Sequence, residues 1–153
     1  MKATRSASLL VTLFLAMTLK TSADDKAAKP GGKKFSVIEV VQTGGFAGVN
    51  MQYRIQSDGQ FTMKSRRRSA KGKLNSKDLA ILTTAVNEAD WAKVPKTLKA
   101  KNAVDDFNYT MHVVIGRKPY RVDCGGILAA KRSPLREIVF TLVKIQRTSI
   151  KKK

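Results

Sequence analysis

Two stretches of alternating hydrophobicity constrain this chain more than anything else in it. In the first, Val49, Met51, Tyr53 and Ile55 are separated by Asn50, Gln52 and Arg54, and Gln56 follows. In the second, Phe107, Tyr109, Met111, Val113 and Ile115 share one face, while Asn108, Thr110 and His112 share the other. A period of two marks a strand with one side in a core and the other toward water. The second stretch meets its partner a few residues on. Across a turn at Gly116 to Pro119, the apolar set continues through Tyr120, Val122 and Cys124, with Ile115 expected opposite Tyr120 and Met111 opposite Cys124. That register puts Cys124 in the core and His112 beside Asp123 on the opposite surface.

A half-buried sheet needs a cover, and two segments of helical period supply it. Leu79, Leu82 and Val86 follow a cap at Asn75 or Ser76, and this helix is expected to end at Ala89 to Trp91. Leu135, Ile138, Val139, Leu142 and Ile145 form a second stripe, opened by Ser133 and an N1 proline, Pro134. Phe35 to Val41 is rich in β-branched residues and is expected to be a strand covered on much of both faces. Ser57-Asp58-Gly59 turns the chain into a short strand, Gln60 to Lys64. Trp91, Val94 and Leu98 fold back over an edge of the core, because Pro95 prevents a continuous helix through them. Ser65 to Lys73 is expected to be a solvated connection and Lys93 to Lys101 a mobile one. The expected class is α+β: a largely antiparallel sheet of about four to five strands, with two helices packed on it.

The N-terminus has the organisation of an export signal. Lys2 and Arg5 precede an apolar run from Leu9 to Leu19, and Thr21-Ser22-Ala23 supplies small residues for cleavage after Ala23. The run is too short for a permanent membrane span, which needs about 20 apolar residues. The expected organisation is therefore a signal peptide over 1–23, a flexible basic linker over 24–34, one domain over 35–147 and a basic tail over 148–153. The product is expected to be secreted or periplasmic.

Charge and cysteine count narrow the chemistry. The chain has 30 Lys and Arg against 11 Asp and Glu, a formal net charge of +19, so its surface attracts anions in a salt-dependent way. Arg66, Arg67 and Arg68, with Lys151, Lys152 and Lys153 of the tail, are the candidate anion-binding residues. A merely solvated, charge-rich face fits them at least as well; as a partner, an anionic envelope or matrix surface is expected over nucleic acid, because export argues against routine nucleic-acid work. With Cys124 as the one cysteine, no internal disulfide forms, and with one His no zinc cluster is suggested, so no metal or cofactor is expected. A catalytic pair of His112 and Cys124 is disfavoured because the hairpin register places them on opposite faces. Asp105 and Asp106 are adjacent, so their side chains diverge and suit a turn better than acid-base catalysis. Gly44 to Gly48 lacks the Lys-Ser/Thr ending and following helix of a phosphate loop. The chain is not expected to be an enzyme.

The glycine-rich segment Gly44-Gly45-Phe46-Ala47-Gly48 nevertheless stands out. It spends backbone freedom on a tight corner, and two arrangements fit it: Phe46 folded back on the core, or Phe46 presented to a partner. At these residues the chain resembles the emfourin family, small protein inhibitors of thermolysin-like zinc metalloproteases of the protealysin type. The likeness runs through Gly44-Gly45-Phe46-Ala47-Gly48-Val49 after the first strand, and then a Leu-rich helix ending near Trp91. It continues with Asp106-Phe107-Asn108-Tyr109 opening a strand and Pro134-Leu135 opening the last helix, covering most of residues 35 to 147. The leader, basic linker, Arg66 cluster and lysine tail depart from a family whose typical members are short and rather acidic. The resemblance implies a stoichiometric blocker with no turnover. In it, Gly44, Gly45, Phe46, Ala47 and Gly48 would enter the protease cleft, with Asp106 and Tyr109 in support. The contrasting reading is a non-catalytic basic module for anionic surfaces.

Overall fold

The computed structural model describes residues 34–99, 106–132 and 134–150. The expected signal peptide, nearly all of the linker, Asp105, Ser133 and Lys151 to Lys153 lie outside the described residues. Within them, seven strands form one sheet. They are β1 (Phe35–Gly44), β2 (Val49–Gln56), β3 (Gln60–Ser65), β4 (Ser69–Lys73), β5 (Thr97–Leu98), β6 (Phe107–Ile115) and β7 (Lys118–Gly125), in the spatial order β4-β3-β2-β1-β6-β7-β5. Every pairing is antiparallel except the short parallel contact of β5 with β7. Two long helices, α1 (Ser76–Glu88) and α3 (Leu135–Ile150), and a short α2 (Gly126–Lys131) complete the fold.

One face of the sheet is the core. Ile38, Val40, Tyr53, Ile55, Met111 and Val113 are buried there against Leu82, Val86, Leu135, Ile138, Leu142 and Ile145 from the helices. The other face carries Glu39 paired with Arg54, and Asp123 bonded to Thr110 and Arg121. In β1 the second face is half-buried at Val37, Glu39 and Val41, less covered than its β-branched composition suggested. Asn75 caps α1 by accepting a 2.8 Å bond from the Asp78 amide, and the indole of Trp91 closes the far end by donating to the Val86 carbonyl at 2.6 Å. Among the described residues no helix is long and apolar enough to cross a membrane.

The sheet is larger than the four to five strands expected, and the reasons are local. Ser65 to Lys73, expected to be a solvated connection, holds β4, an edge strand without apolar alternation. Its Gly72 sits opposite Phe61, and a Cβ there would lie 2.7 Å from the Phe61 ring, so the ring of β3 covers the space that a β4 side chain would fill. Lys93 to Lys99, expected to be mobile, holds the two-residue β5, anchored by the Asp123 amide donating to the Lys96 carbonyl at 2.8 Å and by Leu98 packing on the core. The β6–β7 register also differs by two residues. Ile115 pairs with Lys118, Val113 with Tyr120, Met111 with Val122 and Tyr109 with Cys124, because Gly116 at φ +63° allows a two-residue turn where four residues were expected. A shift of two preserves the faces, so Cys124 is still core, but His112 now faces Arg121 instead of Asp123.

Candidate functional site

Antiparallel order brings four distant pieces of chain to one end of the sheet. The β1–β2 loop (residues 45–48), the β3–β4 turn at Arg66-Arg67, the start of β6 and the end of β7 all lie there, as the pairings Gly44 with Val49 and Phe107, Met51 with Ser65, and Asn108 with Gly125 require.

The glycine loop is closed by a 2.9 Å bond from the Gly48 amide to the Gly45 carbonyl, which leaves Phe46 and Ala47 at its corner. Gly44 and Gly45 are needed for two reasons. Their φ values of +96° and +70° disfavour side chains, and a Cβ would come within 2.8 Å of the Asp106 carbonyl at Gly44 and 2.7 Å of the Phe107 ring at Gly45. The loop is thus pressed against the start of β6. The Phe46 side chain is 99% exposed. Of the two arrangements that fit the sequence, the presented one is found.

Phe107 is the residue that alternation misplaced. It opens the apolar face of β6 in sequence, yet it is 36% exposed, with its ring set against Gly45 of the loop. Its backbone pairs with Gly44, the last residue of β1, while its ring lies over the next glycine, Gly45, of the loop. Asp106 and Tyr109 both lie behind the loop. The Asp106 carboxylate accepts from the Phe107 amide at 2.8 Å and lies 3.0 Å from where a Gly126 Cβ would be, so it organises the start of β6 against α2. Tyr109 is buried. Burial pushes its phenol up, with the nearby Asp106 and Cys124 adding to the shift.

Arg66, Arg67 and Arg68 are exposed on a tight hairpin turn. The Ser65 amide donates to the Arg68 carbonyl at 2.7 Å, and the Arg68 amide donates to the Ser65 hydroxyl at 3.0 Å. Between this turn, the glycine loop and the C-terminal half of α3 runs a groove of about 720 Å³, lined by Ala47, Gly48, the three arginines, Phe107 and Tyr109. Of the expected site residues, Ala47, Gly48, Arg66, Arg67, Arg68 and Tyr109 line this groove, and Gly44, Gly45, Phe46 and Asp106 lie at the same end of the sheet. Beneath the groove, the Tyr53 hydroxyl donates to Gln42 Oε1 at 3.0 Å, and the Gln146 amide donates to the same oxygen at 3.0 Å and to the Tyr53 hydroxyl. Burial pushes the Tyr53 phenol up to about 12, against the opposing bond from Gln146, so it stays protonated and can hold this network.

No protein-family model matches the chain, and no curated protein matches it. The remaining chemistry comes from the residues alone. Burial first, then Asp123 and Asp106, raise the Cys124 thiol to about 11, which leaves it a poor nucleophile at neutral pH, and His112 is on the opposite face. Among the described residues no group of three or more His, Cys, Asp and Glu is arranged to hold a metal ion. What this end of the sheet offers is a shaped surface with one almost fully exposed aromatic ring, Phe46.

Proposed function

We propose that this protein is an exported, stoichiometric inhibitor of a thermolysin-like zinc metalloprotease, acting outside the cytoplasm with Phe46 as the residue that enters the target. The observation that carries this reading is the exposure of Phe46 on a loop that Gly44 and Gly45 hold tightly against β6. A buried Phe side chain gains about 1.5–3 kcal/mol over an exposed one, and a preformed loop loses little entropy on binding, so such a ring is a strong anchor for an apolar pocket. Thermolysin-like enzymes receive large apolar side chains in their cleft, and the resemblance to emfourins points to the same class of target. Gly48 and Ala47 keep the flanking chain slim enough for close approach. Asp106 and Tyr109 support the loop from behind without contacting the target.

Titrating a panel of thermolysin-like metalloproteases with the protein beginning at Asp24, at two salt concentrations, tests this reading. Saturable one-to-one loss of activity is expected, with Phe46→Ala weakening inhibition by about 30-fold, as loss of an interface anchor does. Full residual activity across the panel would remove the inhibitor reading. The second reading, a basic module for anionic envelope, matrix or nucleic-acid surfaces, is favoured by Arg66, Arg67 and Arg68 on one exposed turn and by the net charge of +19. Neutralising those arginines would abolish its binding, whereas Phe46→Ala would leave it intact.

A further inference from the structure

We propose that the groove between α3 and the tips of the β1–β2 and β3–β4 hairpins binds a free single-chain amphiphile with an anionic headgroup, a fatty carboxylate being the simplest case. The proposal is independent of the inhibitor reading. It does not need a protease target: the groove is lined on one side by Ala47 and Gly48 of the loop, but Phe46 does not line it.

Three properties of the groove lead to this ligand. Its volume of about 720 Å³ is in the range of small-molecule sites, which is roughly 300–1,000 Å³. Its floor is apolar and adaptable: Met51, Met63, Leu142 and Val143 face it, and methionine thioethers reshape around a chain without fixed polar demands. The polar groups at the floor already satisfy one another, through the Gln42, Tyr53 and Gln146 bonds. Among the described residues no buried side-chain nitrogen or oxygen lacks a hydrogen-bond partner. A hydrocarbon tail laid over this network leaves its bonds intact, whereas a peptide backbone would bring donors and acceptors of its own that need partners.

Charge selects the headgroup. Arg66, Arg67 and Arg68 line the groove, and none of its lining residues is Asp or Glu. None of the ion pairs among the described residues uses these arginines. A planar guanidinium matches a carboxylate through paired N–H donors, so the turn is suited to hold the head while the tail lies along α3. The apolar floor is recessed and concave, which fits a single chain better than the plane of a bilayer. A neighbouring cavity of about 620 Å³ meets this one at Met63, Arg67 and Arg68 and gives longer chains somewhere to extend.

The test uses the full chain labelled with ¹³C at the methionine methyl groups and titrated with decanoate below its micellar concentration. Met51 and Met63 line the groove, while Met111 is fully buried beneath the sheet and serves as the internal reference. Saturable shifts of the Met51 and Met63 signals with Met111 unmoved are expected. Replacing all three arginines with Gln should weaken decanoate binding by about tenfold, the loss of a charge-assisted hydrogen bond. Because those arginines are exposed, the variant should keep the methionine spectrum of the folded protein. Val143→Glu, which places a carboxylate in the groove at a half-buried helix position, should abolish the shifts. Equal binding of 1-decanol and decanoate would overturn the role of charge. Binding to phosphatidylglycerol vesicles with no response to decanoate would overturn the free amphiphile in favour of a bilayer surface, and shifts confined to residues outside the groove would overturn the site.

Discussion

A phenylalanine ring in water is held there by its neighbours, and at Phe46 those neighbours are two glycines and another phenylalanine. Gly45 is the decisive position: its φ of +70° and the Phe107 ring, 2.7 Å from where a Cβ would be, forbid a side chain twice over. Gly45→Ala is expected to lower stability by about 1–2 kcal/mol, from the left-handed conformation and the displaced ring together, and, under the proposed inhibitor role, to weaken inhibition by moving Phe46. Thermal unfolding followed by circular dichroism measures the first effect and protease titration the second. Three buried acids, Tyr53, Tyr109 and Cys124, set the alkaline limit, each raised chiefly by burial. Tyr53 rises from 10.0 to about 12 and Cys124 from 9.0 to about 11. A raised acid binds its proton more tightly when folded, so its stabilising effect is complete below the unfolded value and is lost as pH climbs to the folded one. Unfolding midpoints are expected to be flat near pH 8 and to fall steadily between pH 9 and 12. Tyr53→Phe should shrink the part of that fall above pH 10, while itself lowering stability at pH 8 by about 1 kcal/mol through the lost hydrogen bonds.

At the scale of elements, local signals were legible wherever a segment satisfied itself. Asn75 caps α1 as its side chain allows, the turn at Asp58-Gly59 forms where expected, and the stripes of α1 and α3 are buried at Leu82, Val86, Leu135, Ile138, Leu142 and Ile145. Asn75→Ala is expected to destabilise the protein by about 1 kcal/mol, because the Asp78 amide loses its partner; chemical denaturation is the measurement. The elements that escaped sequence reading, β4, β5 and α2, are those whose order comes from a neighbour. β4 has no apolar period because Phe61 covers Gly72 from the adjacent strand, and β5 is two residues long because β7 alone holds it. The hairpin register slipped for a related reason: both turn lengths keep the same residues in the core, and only the geometry at Gly116 chooses between them.

For the molecule as a whole, the excess of 30 basic over 11 acidic residues means that folding gathers like charges, and added salt should relieve that repulsion. The unfolding midpoint is expected to rise between low salt and about one molar chloride, where the Debye length shrinks to about 3 Å, and a midpoint that falls would mean that native ion pairs outweigh the repulsion. Each of the four ion pairs among the described residues has at least one partner well exposed, which limits their stabilising effect.

What the sequence by itself determined is local: most of the residues that face the core, Phe107 excepted, that helices cover one side of an antiparallel sheet, that Cys124 and His112 part company, and that a glycine corner surrounds Phe46. Each follows from a pattern whose repeat is shorter than the element carrying it, so no distant residue is needed to interpret it. Only the tertiary structure decided that Phe46 points outward, that Phe107 supports its loop, and that Arg66 to Arg68 line one groove with Tyr109. Those depend on hairpin lengths and strand order, which place residues separated by tens of positions at the same end of the sheet, and a one-dimensional pattern contains no measure of that distance.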